Sequence, residues 1–474
     1  MRKLIALDRK FDRIIRKIFR PMISILVTFS ILFSSIPLGY IVKANAASIN
    51  GTGTSSDPYV ITTADQLASI STTGLGKCYK LGNNIDLSSY ANWTPIGSDS
   101  KPFTGTLDGG GHTISNLTIG AESSPSTSSY LGLFGYTNGA TIKNVGLNNV
   151  SIYSSGKYIG ALAGYCNGAE IITNASAAGN VSGSSEIGGL IGYINNSNAK
   201  VLNSYAADKV TGSSDDVGGL IGYFQGTIKN CYAKGGVSGH AEIGGLIGYN
   251  YSNGTITNSY ATGSTIGAYY VGGLVGYNRD NNSKIINSYA TGNVSGNQTV
   301  GSFLGYNYNS DTVTDVYWKT ATQMPGCGSG TISSGTGMGS AKMQTQTFAD
   351  TLNKNIDSLN LSDCACWKYS PETNNGFPVL QGIGNGVGSS DTIAPKITTS
   401  VSQNYTSGEE TIHATVLDEN SGISVKKYAA GVQEASYFTT NGIEFHSSII
   451  DDLALGTYTV YAKDNAGCSG IVNL

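Results

Sequence analysis

The stretch VGGLVGYN, residues 271–278, decides the fold of this chain because it is one of seven similar stretches. Three glycines with small apolar neighbours could form a phosphate-binding loop if they occurred once, between a strand and a helix. Instead each copy ends in a tyrosine, and these tyrosines recur every 26 to 30 residues, at Tyr136, Tyr165, Tyr193, Tyr223, Tyr249, Tyr277 and Tyr306. Such a spacing is typical of a repeat architecture, so we interpret the glycines as structural.

A second motif keeps the same period and follows each tyrosine closely. It reads NSYA or a variant of it, and it begins at Asn144, Asn174, Asn203, Asn230, Asn258, Asn287 and Asp315. Each repeat has three short apolar segments separated by turn residues, which predicts one coil of a parallel β-helix per repeat. In register, the asparagines are expected to form an amide ladder that ends at Asp315.

The composition agrees with many short strands, since 64 glycines accompany only 10 prolines and 39% of residues are hydrophobic. We expect an all-β protein: a right-handed parallel β-helix solenoid followed by a small immunoglobulin-like β-sandwich. A capping box, Thr63 to Gln66, predicts a short helix over the first coil, and residues 319–380 are expected to cap the other end. The expected domains are a signal peptide at 1–46, the capped solenoid at 47–381 with core repeats at about 130–318, a linker at 382–394 and the sandwich at 395–474.

The N-terminus has the form of an export signal. Basic residues precede an apolar run, residues 22–42, and a small-residue cleavage site follows at Ala44-Asn45-Ala46. We expect cleavage near Ala46, with an uncleaved anchor as the alternative and no membrane span after signal removal. The remaining chain carries 19 Lys and Arg against 29 Asp and Glu. This acidic balance argues against nucleic acid or polyanions as ligands.

These residues carry a resemblance to the GLUG-motif repeat. It rests on GGLIGYN and NSYA, and on flanking stretches such as ITTADQL and NNGFPVL, over residues 51–381. GLUG-motif repeats occur in exported and surface proteins of bacteria, including adhesin-like proteins and the non-catalytic front part of some metallopeptidases that cleave immunoglobulin A. The tail, with LDENSGI and LGTYTVYAKDNAG, resembles bacterial immunoglobulin-like domains. The resemblance implies a fold and a location rather than an activity.

Candidate catalytic residues are few. Asp215 and Asp216 form an acidic pair, but the equivalent positions in other repeats are Ser185 and Glu186, Ala241 and Glu242, and Tyr269 and Tyr270. Such variation is typical of a solvated turn, and His112, which follows three glycines near Asp108, is interpreted in the same way. No H-E-x-x-H motif is present. We therefore predict no catalytic residue, no cofactor-binding residue and no enzyme.

Metal sites and disulfides are also not indicated. Cys364 and Cys366 lack a second pair of metal ligands, and the seven cysteines have no recurring spacing, so their redox state is open. Calcium in the C-terminal domain is the one metal considered, through loop acids that could gather at one end of a sandwich, namely Asp418, Glu419, Asp451, Asp452 and Asp464.

The function that we predict is binding or adhesion by a secreted or cell-surface bacterial protein. The partner is a surface glycan or a host or cell-surface protein, met by repeated tyrosines if these are exposed. The alternatives are a polysaccharide-cleaving β-helix enzyme and a passive surface stalk. The sequence leaves open the ligand, the mode of attachment, the oligomeric state and whether the repeat tyrosines face inward or outward.

Overall fold

A computed structural model describes residues 49–474, except for 280–281, 309–311, 321–323, 360, 362, 384–395, 405–408, 418–422, 435–436, 439–440, 445–448, 455, 465–468 and 474. The predicted signal peptide at 1–46 and most of the predicted linker lie outside the described residues. So does Cys468, and the six cysteines that are described are free thiols.

Residues 78–318 wind into a parallel β-solenoid of about eight turns, as the repeat period predicts. The right-handed winding that we expect from the sequence stays a prediction. One sheet has 23 strands: Tyr59–Ile61, Cys78–Leu81, Ile85–Asp86, Thr106–Asp108, Thr113–Ser115, Thr118–Ile119, Thr141–Tyr153, Ile171–Gly183, Lys200–Leu202, Tyr205–Ala206, Lys209–Gly212, Thr227–Lys229, Tyr232–Ala233, Val237–Ser238, Thr255–Thr257, Tyr260–Ala261, Thr265–Ile266, Lys284–Ile286, Tyr289–Ala290, Val294–Ser295, Thr312–Thr314, Val316–Lys319 and Gly335–Met338.

Two smaller parallel sheets complete the coils. The tyrosine sheet has eight strands, Phe134–Thr137, Ala163–Cys166, Ile191–Ile194, Ile221–Phe224, Ile247–Tyr251, Val275–Arg279, Leu304–Asn307 and Cys327–Ser329. The third sheet has six strands, Ile159–Gly160, Ile187–Gly188, Asp215–Gly218, Ala241–Gly244, Tyr269–Gly272 and Gln298–Gly301. Buried Leu, Ile, Val and Ala side chains from all three sheets fill the interior.

The repeat glycines allow neighbouring coils to approach closely. A Cβ atom added to Gly244 would lie 2.7 Å from the backbone nitrogen of Gly276 in the next coil, and one added to Gly248 would lie 2.6 Å from the backbone of Asp216 in the preceding coil. Both distances are far below van der Waals contact, so alanine does not fit at either position. The phosphate-loop alternative is therefore unnecessary, because packing alone explains the motif.

The coils bend at two columns of non-glycine residues with left-handed backbone conformation. The first column is the asparagine column, with φ between 46° and 56° from Asn144 to Asp315. The second, which we call the bend column, precedes each glycine motif and has φ between 51° and 61°; it comprises Tyr130, Tyr158, Glu186, Asp216, Glu242, Tyr270 and Thr299. Asparagine tolerates this conformation better than most residues, which gives the NSYA asparagines a backbone role besides the ladder.

The predicted amide ladder is present. Nδ2 of one asparagine donates to Oδ1 of the asparagine in the preceding coil, at 2.8 to 2.9 Å, for Asn174 to Asn144, Asn230 to Asn203, Asn258 to Asn230 and Asn287 to Asn258. Asn144 donates in turn to Oδ1 of Asp108 at 3.1 Å. A carboxylate suits this first position because it only has to accept.

The first coil carries the predicted helix. Helices span Ala64–Ala68 and Ile70–Thr73, and the Thr63 side chain accepts from the backbone N–H of Gln66. Gln66 Oε1 reaches back to the backbone N–H of Thr62 at 2.7 Å. The capping box is thus confirmed, with its return bond shifted by one residue.

Residues 338–383, the lateral segment, pack along the side of the solenoid rather than serving simply as the end cap that we expected. They contain the helices Ser340–Met343 and Gln346–Ser358, a 3-10 turn at Asn374–Gly376 and the antiparallel strands Trp367–Lys368 and Val379–Leu380. Phe348, Leu352 and Trp367 pack on the tyrosines of the NSYA motifs, Tyr232, Tyr260 and Tyr289. Beyond residue 319, two of the described strands extend the coils: Cys327–Ser329, before this segment, and Gly335–Met338, at its start.

The tail forms two antiparallel sheets. One contains Lys396–Asn404, Glu409–Leu417 and Ile449–Ala454, and the other contains Ile423–Ala430, Ile443–Glu444, Tyr458–Asp464 and Ser469–Asn473. Phe438 stacks on Tyr461 with ring centroids 5.0 Å apart, next to Ala429. The immunoglobulin-like sandwich remains a prediction.

Candidate functional site

The tyrosines that close the seven glycine motifs form one continuous column, the tyrosine strip. Successive rings are in register, their centroids are 4.3 to 5.1 Å apart, and their planes differ by 7° to 15°. All seven residues are half-buried. Because the ring faces cover one another, ring edges and hydroxyl groups are left for other contacts. Some of these contacts lie within the chain, since Tyr193 and Tyr223 share a hydrogen bond and Tyr249 accepts from Arg279 at 3.1 Å.

The NSYA motifs supply a second stacked column, but the protein covers much of it. Tyr205, Tyr232, Tyr260 and Tyr289 stack at 4.7 to 5.0 Å, and the last three are buried by the lateral segment. The question that the sequence left open therefore has two answers. One tyrosine column is buried within the protein's own fold, and the tyrosine strip is open along its edge.

The bend column runs beside the tyrosine strip. Tyr158 meets Tyr193 edge to face at 5.5 Å, and Tyr270 meets Tyr277 in the same way at 5.1 Å. Between these two aromatic ends, three consecutive coils carry acids instead of tyrosines: Glu186, Asp216 and Glu242. The strip thus has a carboxyl-lined middle section flanked by aromatic sections.

These acids have few compensating charges. Burial, together with the charges of Glu242, Glu186 and Asp215, raises the pKa of Asp216 to about 8. Burial and the Asp215 carboxylate raise the pKa of Glu242 to about 7. Burial also raises the pKa of Glu186, although Lys157 lies 3.8 Å away, and Oε2 of Glu186 has no hydrogen-bond partner among the described residues.

Backbone strain suggests that the side chains of the bend column matter. A left-handed conformation costs a non-glycine L-residue roughly 1 to 2 kcal/mol, and glycine adopts it freely. The asparagine column uses Asn or Asp at all seven positions, whereas the bend column uses neither Gly nor Asn at any of them. Tyrosines there gain ring contacts with the strip. The three acids are half-buried, so the left-handed backbone places a row of partly desolvated carboxyl groups beside the strip.

The two residues of the acidic pair, interpreted together as a solvated turn, lie in a strand and have different surroundings. Asp215 is about half exposed, with 47% of its side chain accessible, and it pairs with His240 at 3.2 Å. Asp216 is half-buried and stacked between Glu186 and Glu242 in the bend column. The variation between repeats was taken as the sign of a turn, yet it marks where the column changes from tyrosine to acid.

The other candidates lie where structural roles explain them. His112 donates its backbone N–H to Gly109 at 2.9 Å in a turn, and the Asp108 carboxylate binds Asn144 and Lys143. Cys364 is buried, and burial raises its thiol pKa to about 12. Among the described residues, no three His, Cys, Asp or Glu side chains gather as a metal site. The five acids of the calcium hypothesis lie outside the side chains that the structure describes.

The fold and the strip together define a repeat β-solenoid protein with an open tyrosine column. Residues 239–266 and 267–295 match the GLUG motif. Halomucin of Haloquadratum walsbyi is 37% identical over 163 residues, which are 31% of this chain and 2% of that protein. A protein of Evansella cellulosilytica, provisionally named a Gly-rich membrane protein, is 31% identical over 135 residues, 27% of this chain and 15% of that protein. The chain therefore spans only a small part of these curated relatives.

Two solved structures are also similar. One, provisionally named an immunoglobulin A1 protease from Bacteroides ovatus, is 25% identical with a TM-score of 0.46, covering 70% of this chain and 94% of that one. Another, named IgA1 protease, is 17% identical with a TM-score of 0.43, covering 55% and 21%. Both carry the name of a protease, which contradicts our prediction that this protein is not an enzyme, and we withdraw it. TM-scores below 0.5 carry no assignment of that activity to this chain.

In the described residues, every helix is too short or too polar to cross a bilayer.

Proposed function

We propose that this protein is an exported, surface-associated binding protein whose solenoid holds a linear glycan along the tyrosine strip. The observation that carries the proposal is the contrast between the two tyrosine columns. The lateral segment buries Tyr232, Tyr260 and Tyr289 of the NSYA column, whereas all seven tyrosines of the other column stay half-buried among the described residues. The names of the two curated relatives and the apolar run at residues 22–42 support the location.

The strip suits a polymer better than a small molecule. Its hydroxyl groups repeat at the spacing of parallel strands, about 4.8 Å, so a ligand with regularly repeated hydroxyls can form many equivalent weak bonds. Such contacts add along the chain and give useful affinity without a deep pocket. The acidic balance of the chain, with 19 Lys and Arg against 29 Asp and Glu after residue 46, disfavours glycans that carry uronates or sulfates.

The test compares binding of neutral, acidic and amine-bearing polysaccharides. Replacing Tyr193, Tyr223 and Tyr249 together by Phe keeps the ring stack and removes three hydroxyls, which we expect to weaken binding about tenfold or more. The matched control is Tyr260→Phe, in the covered column, which should bind like the wild type. Equal binding by the triple variant, or no binding to any glycan, would overturn the proposal.

One observation favours a second candidate, polysaccharide cleavage at the middle of the strip. A general acid must be protonated near neutral pH, and the pKa values of Asp216 and Glu242, about 8 and about 7, meet that condition. The same incubations should therefore be assayed for new reducing ends. New reducing ends that form with the wild type and not with Asp216→Asn would establish cleavage. If no glycan that binds yields new reducing ends, cleavage is excluded.

A further inference from the structure

The lateral segment shows how the asparagine ladder binds a polypeptide. Asn230 Nδ2 donates to the carbonyl of Asp363 at 3.0 Å, and Asn230 Oδ1 accepts from the N–H of Ala365 at 2.9 Å. One coil further on, Asn258 Nδ2 donates to the carbonyl of Ala365 at 2.8 Å, and its Oδ1 accepts from Trp367 Nε1 at 2.6 Å. Residues 363–367 thus run along the ladder, and each amide offers them one donor and one acceptor.

The same ladder continues beyond the lateral segment without a cover that the structure describes. Asn174 is exposed, and Asn144 and Asn203 are half-buried. Within the ladder, Asn174 donates to Asn144 at 2.9 Å and Asn203 accepts from Asn230 at 2.8 Å. A primary amide has two N–H groups and two acceptor lone pairs, so each of these positions retains outward capacity of the kind that residues 363–367 use at Asn230.

The ring column beside the open rungs also ends abruptly. Tyr205 stacks on Tyr232 with centroids 4.7 Å apart, but in the two preceding coils its register partners are Ser176 and Gly146. Among the described residues, these small side chains leave the other face of the Tyr205 ring without an aromatic neighbour. Ile171, on the other side of the asparagine bend and three residues before Asn174, has 44% of its surface exposed. The open rungs therefore adjoin apolar surface, as the covered rungs adjoin Trp367 and Phe348.

We propose that Asn144, Asn174 and Asn203, together with Tyr205 and Ile171, form a docking site for an extended segment of a partner protein that carries an aromatic side chain. The argument is continuity, since the site extends an interface that the chain already makes with its own residues 363–367. Backbone N–H and C=O groups would bond to the open amides, and the aromatic ring would stack on Tyr205. This site lies apart from the tyrosine strip and does not rest on the glycan proposal.

The probe is a labelled peptide with the sequence of residues 363–369, with serine in place of Cys364 and Cys366, added to the intact protein. We expect saturable binding by fluorescence polarisation. A photo-crosslinker placed at the Trp367 position of the peptide should react with the strand around Tyr205. Asn174→Gly, which keeps the backbone conformation at φ 51° and removes one amide, should weaken binding about threefold to tenfold. Tyr205→Leu should weaken it by a similar factor.

The matched control is Tyr223→Phe on the tyrosine strip, which should leave peptide affinity unchanged. A scrambled peptide, and one in which alanine replaces the tryptophan, control for sequence and for the ring. Three results would overturn the proposal: no peptide binding, binding that neither Asn174→Gly nor Tyr205→Leu weakens, or crosslinks confined to the covered rungs. Retention of glycans at this face in place of the peptide would also contradict it.

Discussion

Asn355 Nδ2 donates to Oδ1 of Asn287 at 3.0 Å, and in doing so it occupies the place of a missing ladder donor. Asn230, Asn258 and Asn287 each donate to the asparagine of the preceding coil, so by the same pattern Oδ1 of Asn287 would need a donor from the next coil. That coil has Asp315, whose carboxylate accepts from Ser334. The lateral segment therefore completes the ladder from outside, and the solenoid and this segment are parts of one hydrogen-bonded unit.

Asn355→Ala is expected to lower the free energy of unfolding by roughly 1 to 3 kcal/mol, because it leaves Oδ1 of the fully buried Asn287 without this donor. Denaturant unfolding measures the loss, and limited proteolysis should cut the helix Gln346–Ser358 sooner. Asp350→Ala on the exposed side of the same helix is the control, with a change within about 0.5 kcal/mol. Equal stability of the two variants would show that Asn355 does not complete the ladder.

The covered and open rungs should differ in their contribution to stability. Asn258 is buried and bonds to two rungs and to the lateral segment, whereas Asn174 is exposed. Glycine fits the left-handed backbone at both positions, so Asn258→Gly and Asn174→Gly remove the amide without adding strain. We expect Asn258→Gly to cost roughly 1 to 3 kcal/mol more than Asn174→Gly in chemical unfolding. A difference near zero would contradict a structural role for the covered rungs.

The sequence predicted those features that a repeat makes visible. Stacked coils place equivalent residues next to one another, so the period alone placed Tyr193 on Tyr223 and Asn258 on Asn230. It could not predict the lateral segment, because its contacts join residues such as Asn230 and Ala365, which are far apart in sequence and follow no period. The bend column was missed for another reason. Its residues vary from coil to coil and include no glycine, so Asp216 was interpreted as part of a solvated turn, whereas it adopts the left-handed conformation.

Asp208 is a buried acid that the sequence analysis did not single out. It lies in the column that holds Gly179 and Gly235 in the neighbouring coils, it is fully buried, and neither carboxyl oxygen has a hydrogen-bond partner among the described residues. Burial raises the pKa of Asp208 from 3.8 to about 7. The folded state therefore holds a proton that the unfolded chain releases, so stability is lost as the pH rises from about 4 to about 7.

Asp208→Ala should accordingly stabilise the protein at pH 8 and have a much smaller effect at pH 4. A shift of this size corresponds to a gain of up to roughly 4 kcal/mol at pH 8. Chemical unfolding at the two pH values measures it, and Asp350→Ala serves again as the exposed control. A gain that is the same at both pH values would mean that the charge of Asp208 is not its cause.

The bend column predicts a pH dependence of its own. The acids that face Asp216 are Glu186, Glu242 and Asp215, Lys157 is the cation that partly offsets them, and Tyr158, Tyr193 and Tyr249 lie beside it. The pKa of Asp216 is raised to about 8, so the folded protein binds more protons than the unfolded chain between about pH 4 and pH 8. Stability should therefore fall as the pH rises through that window.

Asp216→Asn removes the bend-column acid with the most strongly raised pKa while keeping the shape of the side chain. We expect the melting temperature of the variant to fall less than that of the wild type between pH 5 and pH 9, by roughly 2 to 4 °C. Differential scanning calorimetry of both proteins measures the two slopes. Combining Asp216→Asn with Asp208→Ala should flatten the curve further, because the two sites titrate separately. Parallel curves for wild type and Asp216→Asn would mean that Asp216 is solvated and ionised in the folded protein, as a simple turn residue would be.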